Sequence, residues 1–406
     1  LIRNNLVSKL NNEKAKAKKT LVRFLFLFLL IGFVSCETGE NLEVLEQSDN
    51  GEIPSKTSVN ICVKLSTLLS DTSGTENYFT SSRLTNRSYV NGRVRVKRKS
   101  DNATIQTRYT DSNGCVSLNK PSQTSKYYIE ITPVLKLDRN SFVYAYTGSR
   151  STSSTKRITR DFPSSGGLTI KETKYDATFN VMSTLGYIIN RTGSFNAHRN
   201  LHVIINTNHS SGSHMRRSGS HLELHIYSGH RNSRYVMAHE FGHVYQYFFD
   251  TDFANDCSYQ SSSCRGIGNH SMRSSEYSSC GTSEGFAHFF ALRSWHNQSN
   301  SSAKFKYYKG SKDVIPVYSG TSEYPLKYRI AECTVSSNSD KYTELDFMRT
   351  FATMHKRGSS LQAITQWIGN SNFKRDTAFK KLNDEANQIG GSLRNNWQDA
   401  YLQMLR

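Results

Sequence analysis

No apolar run in the 406 residues reaches the roughly 20 positions that a helix needs to cross a bilayer. The run from Phe24 to Val34 has eleven. Hydrophobic residues make up only 36% of the chain, which excludes a multi-span membrane protein. No internal repeat is apparent, and no nucleic-acid-binding module is recognisable. Acids are also in short supply: 33 Asp and Glu stand against 52 Lys and Arg, a formal charge of +19. Such a surplus attracts anionic glycans, membranes or nucleic acid over long range, but it also describes a basic surface that keeps an exported chain soluble. The second reading is the plainer one, and no nucleic-acid partner is expected.

The N-terminal stretch reads as an address. Lys14 to Arg23 is basic and leads into the apolar run, as in the n- and h-regions of an export signal. The run ends at Phe33-Val34-Ser35-Cys36, which resembles the lipobox of bacterial lipoproteins, with Phe33 in place of the usual Leu. That resemblance implies that residues 1–35 are removed as a signal peptide and that a lipidated Cys36 attaches the protein to a membrane. The location implied is the bacterial cell envelope, extracytoplasmic, at the outer membrane or cell surface. A plain secretory signal cut nearby is the alternative. Residues 36–57 then form a polar tether. Setting Cys36 aside, six of the seven cysteines remain. An even number in an exported chain suggests up to three disulfides, although six cysteines allow 15 pairings. The expected pairs are Cys62 with Cys115, Cys257 with Cys264, and Cys280 with Cys333.

Residues 58–172 show short alternating runs broken by turn residues. Ile61–Leu65, Gly92–Lys97, Cys115–Leu118 and Tyr127–Ile131 read as strands, with Asp111-Ser112-Asn113-Gly114 as a hairpin turn between two of them. An antiparallel β-sandwich is predicted. Its layout resembles the transthyretin-like and carboxypeptidase-regulatory-like modules of exported bacterial proteins. Arg93, Arg95, Lys97 and Lys99 share one face of a strand, either as a binding stripe or as a solvated sheet face.

Residues 173–406 carry the chemistry. Thr178–Ile189 predicts a buried helix, Leu201–Asn206 and His221–Tyr227 predict strands, and Ser233–Phe249 predicts a helix containing His239-Glu240-Phe241-Gly242-His243. Two residues four apart project from one helix face, so His239 and His243 can grip one ion with Glu240 beside it. Nine of the 13 histidines lie between His198 and His243, which raises a competing site at His221, Glu223 and His225 on one side of their strand.

A third ligand sets the subclass. The metzincin continuation needs Gly at 246 and His at 249, where this chain has Gln246 and Phe249. Downstream, Ser283-Glu284-Gly285-Phe286-Ala287 opens an apolar helix with an acid at its start, and resembles the second helix of gluzincin metallopeptidases. The resemblance implies a multidomain protein: the β-sandwich followed by an α+β zincin-like domain with a helical C-terminal half. It implies zinc held by His239, His243 and Glu284, Glu240 as general base, and hydrolysis of peptide bonds in protein, peptide or glycoprotein substrates. In that resemblance the strand around Leu222–Tyr227 lends its backbone to an extended substrate.

The chain departs from the pattern at position 288, where such families carry an Asp that orients a zinc histidine. His288 stands there, either to accept one hydrogen bond or to replace Glu284 as ligand. Glu344–His355 and Leu361–Ile368 have helical spacing, and Tyr324, Tyr328, Tyr342 and His355 are candidates for an oxyanion donor. The alternative function is a surface adhesin or a glycan- or protein-binding lipoprotein that retains zinc with little or no peptidase activity.

Overall fold

In Ser58–Leu68 (β1) the apolar side chains of Val59, Ile61, Val63 and Leu65 alternate with polar ones, and all four are buried. That period of two presses one face of the strand into a core and leaves the other outward. The same alternation marks β3 (Gly92–Arg98), β5 (Cys115–Asn119) and β7 (Phe142–Thr147), whereas β6 (Tyr127–Lys136) is buried on both faces. β2 (Arg83–Ser88), β4 (Thr104–Tyr109), β8 (Ile158–Asp161) and β9 (Leu168–Glu172) complete this part of the chain. The computed structural model describes residues 57–68, 83–148, 156–193, 199–206, 212–249, 275–295, 304–306, 314–316, 341–371 and 378–405. The predicted signal peptide, the tether and Cys36 lie outside them.

Two sheets form. One has the order β2-β1-β5, with β9 also on β1. The other runs across β4, β3, β6 and β7, with β8 on β6, and continues into strands that follow helix α1 (Ala177–Thr192): β10 (Leu201–Asn206), β12 (His221–Tyr227) and, outermost, β11 (His214–Ser218). The sheets are mixed rather than purely antiparallel. β9 runs parallel to β1, and β10 runs parallel to both β7 and β12. Because Leu201–Ile205 pair with Val143–Thr147, the boundary drawn at residue 172 does not interrupt the sheet. Local alternation reveals strands but not their long-range partners, which is why this continuity had no sequence signal.

The turn at Asp111–Gly114 is present, with Asp111 Oδ1 accepting from the backbone N–H groups of Asn113 and Cys115. It is not a hairpin, for β4 belongs to the larger sheet and β5 to the smaller one. β5 is held on β1 by a disulfide between directly opposed residues, Cys62 and Cys115, as expected. Cys280 is buried and disulfide-bonded. Cys257, Cys264 and Cys333 fall outside the described residues, so the two other expected pairings do as well.

Helix α1 closes the inner face of the sheets. Asp176 caps it by accepting from the N–H groups of Thr178 and Phe179. Its fully buried Asn180 ties three segments together: the side chain accepts from the N–H of Leu68 and donates to the carbonyls of Leu68 and Arg231. The chain then becomes mainly helical. It runs through α2 (Arg234–Phe249), β13 (Ser275–Tyr277), α3 (Ser278–Trp295), β14 (Lys304–Lys306), β15 (Val314–Pro316), β16 (Lys341–Thr343), α4 (Glu344–Lys356), α5 (Leu361–Asn370), α6 (Ala378–Ile389) and α7 (Gly391–Leu405). β13 pairs with β16 and so brings the starts of α3 and α4 together. Among the described residues no helix is long and apolar enough to cross a membrane.

The cross-strand disulfide closes a long loop between the two cysteines. Replacing both Cys62 and Cys115 by Ser is expected to lower unfolding stability by about 2–4 kcal/mol. Urea denaturation of the double variant measures this, and an unchanged midpoint would contradict it.

Candidate metal centre

Helix α2 begins where Ser233 Oγ accepts from the N–H of Val236. Every residue from Arg234 to Phe248 is buried except His243, whose side chain is 14% exposed. The helix therefore runs through the interior and opens toward solvent at that imidazole. Helix α3 starts at Ser278, earlier than the apolar run suggested, so Glu284 projects from the body of the helix rather than from its first turn.

Two glycines let the three helices of the site approach. A Cβ on Gly242 would lie 2.9 Å from the Cα of Ala287, so α2 and α3 nearly touch there. A Cβ on Gly285 would meet the Phe347 Cβ at 2.5 Å and the Glu344 carbonyl oxygen at 2.7 Å, so α3 and α4 are equally close. Large side chains at either place would hold the helices apart.

This packing brings together His239, His243 and Glu284, the residues that the resemblance implies as ligands. His239 Nε2 lies 3.1 Å and His243 Nε2 3.4 Å from the same atom, Glu284 Oε2. Two donors bound at about 2.0–2.1 Å to a tetrahedral zinc are roughly 3.3 Å apart, so the spacing suits one such ion. Glu240 is buried and close enough to His243 to act on its charge. His243 Nδ1 faces Gln246 Oε1 at 3.2 Å, while Gln246 Nε2 donates to the Ser283 carbonyl at 2.9 Å. That second bond fixes the amide orientation, so Gln246 Oε1 accepts from His243 Nδ1–H and His243 Nε2 is left directed at Glu284.

His239 is held from behind by His288. Their Nδ1 atoms are 3.2 Å apart, and His288 Nε2 is 3.1 Å from Glu344 Oε2. Among the described residues, single donor atoms of His239, Glu284 and His288 also fall within 4.8 Å of one another, so these three residues could hold a metal. Two overlapping ligand sets therefore share His239 and Glu284.

The electrostatics favour positive charge beside Glu284. Burial pulls His243 down, but the charge and hydrogen bond of Glu284, with Glu240 nearby, carry it up to about 9. Burial, reinforced by His288, takes His239 down to about 3. Imidazoles sharing one carboxylate are driven apart, and the proton settles on His243.

Gln246 and Glu344 join the site without belonging to the motif or to the expected ligand set. Gln246 is three residues beyond His243 on the same helix face, a spacing that could have flagged it. Glu344 arrives from a different segment and carries no local signal. Of the expected oxyanion donors, Tyr324 and Tyr328 and the Tyr342 side chain lie outside the described residues. His355 donates from Nδ1 to the Ser359 carbonyl and sits edge-on to Phe289, which is a packing role.

The competing cluster takes another form. Glu223 accepts from Arg216 Nε at 2.7 Å and lies 3.0 Å from His225 Nε2 and 3.5 Å from His221 Nε2. An arginine already neutralises this carboxylate, and the described residues around it do not meet the spacing of a metal-binding group. β12 is also paired on both sides, by β10 and β11, so the substrate-edge role expected for Leu222–Tyr227 is not open to it. No known family, curated protein or solved structure matches the chain.

Ala at position 285 forces α3 and α4 apart, so Gly285→Ala is expected to cost roughly 1–3 kcal/mol in urea denaturation, and an unaltered midpoint would contradict the close approach. A second expectation concerns Glu223. Burial raises its pKa, but hydrogen bonds from His225 and Arg216 outweigh that and hold it near about 2. A depressed carboxylate contributes stability above its ordinary value of 4.5 and loses it as pH falls toward 2. Glu223→Gln should therefore flatten the acid limb of the stability profile over that window; an unchanged acid limb would rule out this role.

Proposed function

We propose that the chain is a zinc-dependent endopeptidase of gluzincin type that hydrolyses extracellular proteins or peptides at the bacterial cell envelope. One observation carries the reading: the Nε2 atoms of two imidazoles one helical turn apart both meet Glu284 Oε2, at 3.1 and 3.4 Å. His239, His243 and Glu284 are the proposed ligands, and three protein donors leave one position open, as in catalytic rather than structural zinc sites. When bound, zinc supplies Lewis-acid polarisation of a carbonyl and lowers the pKa of water to about 7.

The chain's own residues do the rest. Gln246 fixes the ring of His243, and the buried setting of His239 and Glu284 keeps bulk water from competing for the donors. Glu240 sits beside His243 and takes the proton of the attacking water, then returns it to the nitrogen of the leaving amine. Because β12 is flanked on both sides, pairing with an extended substrate falls to β11, the edge strand beside it among the described residues. The Cys62–Cys115 disulfide supports an oxidising, extracytoplasmic compartment, and lipid attachment at Cys36 belongs to the same proposal.

Glu240→Gln separates chemistry from metal binding. The variant should retain about one zinc per chain and lose casein cleavage by on the order of 10²- to 10⁴-fold. Normal cleavage by this variant would overturn the mechanism.

A further inference from the structure

We propose that His288 and Glu344 form a positioning pair that aims His239 at the metal, with α4 supplying a carboxylate that α3 does not carry. The inference rests on the zinc reading above and decides between the two overlapping ligand sets. His239 presents Nε2 to Glu284 at 3.1 Å and Nδ1 to His288 at 3.2 Å. The two nitrogens of one ring point in diverging directions, so an ion bound at Nε2 lies on the side away from His288 Nδ1. His288 therefore stands behind the ligand, not beside the ion.

Proton placement agrees with this. A neutral His239 that offers its Nε2 lone pair carries its hydrogen on Nδ1 and donates it to His288 Nδ1. His288 then carries its own hydrogen on Nε2, 3.1 Å from Glu344 Oε2. Each ring nitrogen in the sequence His239, His288, Glu344 is used once, and no two hydrogens meet. Every member is buried: the side chains of His288 and Glu344 are 1% and 0% exposed, and that of His239 is 4%. Glu344 is the first residue of α4, next to a capping box made by Thr343 and Asp346, and the N-terminal end of a helix favours negative charge.

An acid on α3 at position 288 would reach His239 directly. An imidazole there extends the reach by one ring, and the carboxylate must then come from the neighbouring helix. Gly285 makes this possible, since it lets the Glu344 backbone come within 2.7 Å of where a Cβ would stand. Metal affinity is thereby linked to the docking of α4 on α3.

Zinc alone is the probe, titrated into the full chain against a chromogenic chelator, with far-UV circular dichroism to verify folding. Glu344→Gln and His288→Ala should each weaken zinc binding by about 10- to 100-fold, whereas Glu284→Ala should abolish it. Since Glu344 acts through His288, the double variant should stay within about twofold of His288→Ala alone. His288→Gln, whose amide oxygen accepts from His239, should recover part of the loss. If His288→Ala does not fold, Glu344→Gln decides, because it keeps the size of the side chain and removes only the carboxylate charge.

Wild-type affinity in Glu344→Gln overturns the inference. So does a loss in His288→Ala as complete as in Glu284→Ala, which would make His288 a ligand. A wild-type chain that takes up no zinc sinks the peptidase reading, and the positioning pair falls with it.

Discussion

The near-touch of two helix backbones at Gly242 and Ala287 is the constraint on which the site depends. Around that point both helices use the same spacing. His239 and His243 stand three before and one after Gly242; Glu284 and His288 stand three before and one after Ala287. Positions −3 and +1 lie on the same side of a helix, one turn apart. A small residue between them lets each pair lean across the contact. All four groups converge because nothing bulky separates the axes, and the distances near 3 Å follow from that closeness rather than from any one side chain.

The surroundings make those contacts strong. Phe241, Phe286, Phe289, Phe347 and Phe351 are fully buried around the three helices, and several of their rings meet edge-on or tilted. In such a medium a hydrogen bond is electrostatically stronger than in water, and an unsatisfied polar group is correspondingly costly. Three carboxylates, those of Glu240, Glu284 and Glu344, sit with three imidazoles in this interior. Such a cluster demands compensating positive charge, which protons or a cation can supply. The Glu223 cluster on β12 differs in this respect, because Arg216 answers its charge permanently. Two groups of similar composition thus part according to whether a fixed cation is built in.

Much of this was legible in the residues. The extents of β10 and β12 and the course of α1, α2, α4 and α5 follow from period. The pairing of His239 and His243 follows from the motif, the approach of Glu284 to them is what the gluzincin resemblance implies, and the Cys62–Cys115 bridge was one expected pairing among 15. Sheet continuity was not legible. The pairing of β7 with β10 joins residues more than fifty positions apart, and alternation says only that each strand has two faces. Asp111–Gly114 has the composition of a hairpin, yet β5 is bound to β1 and its turn hands the chain between sheets. The role of Glu344 has no local signal for the same reason: it heads a helix 56 residues beyond His288, and only the fold makes them neighbours.

Zinc-edge anomalous diffraction from crystals of the zinc-loaded chain tests the central claim most directly. The expected result is one strong peak within about 2.0–2.2 Å of His239 Nε2, His243 Nε2 and a Glu284 carboxylate oxygen. A peak bonded to His288 in place of His243, or no peak at this cluster while the metal is found elsewhere, would contradict it.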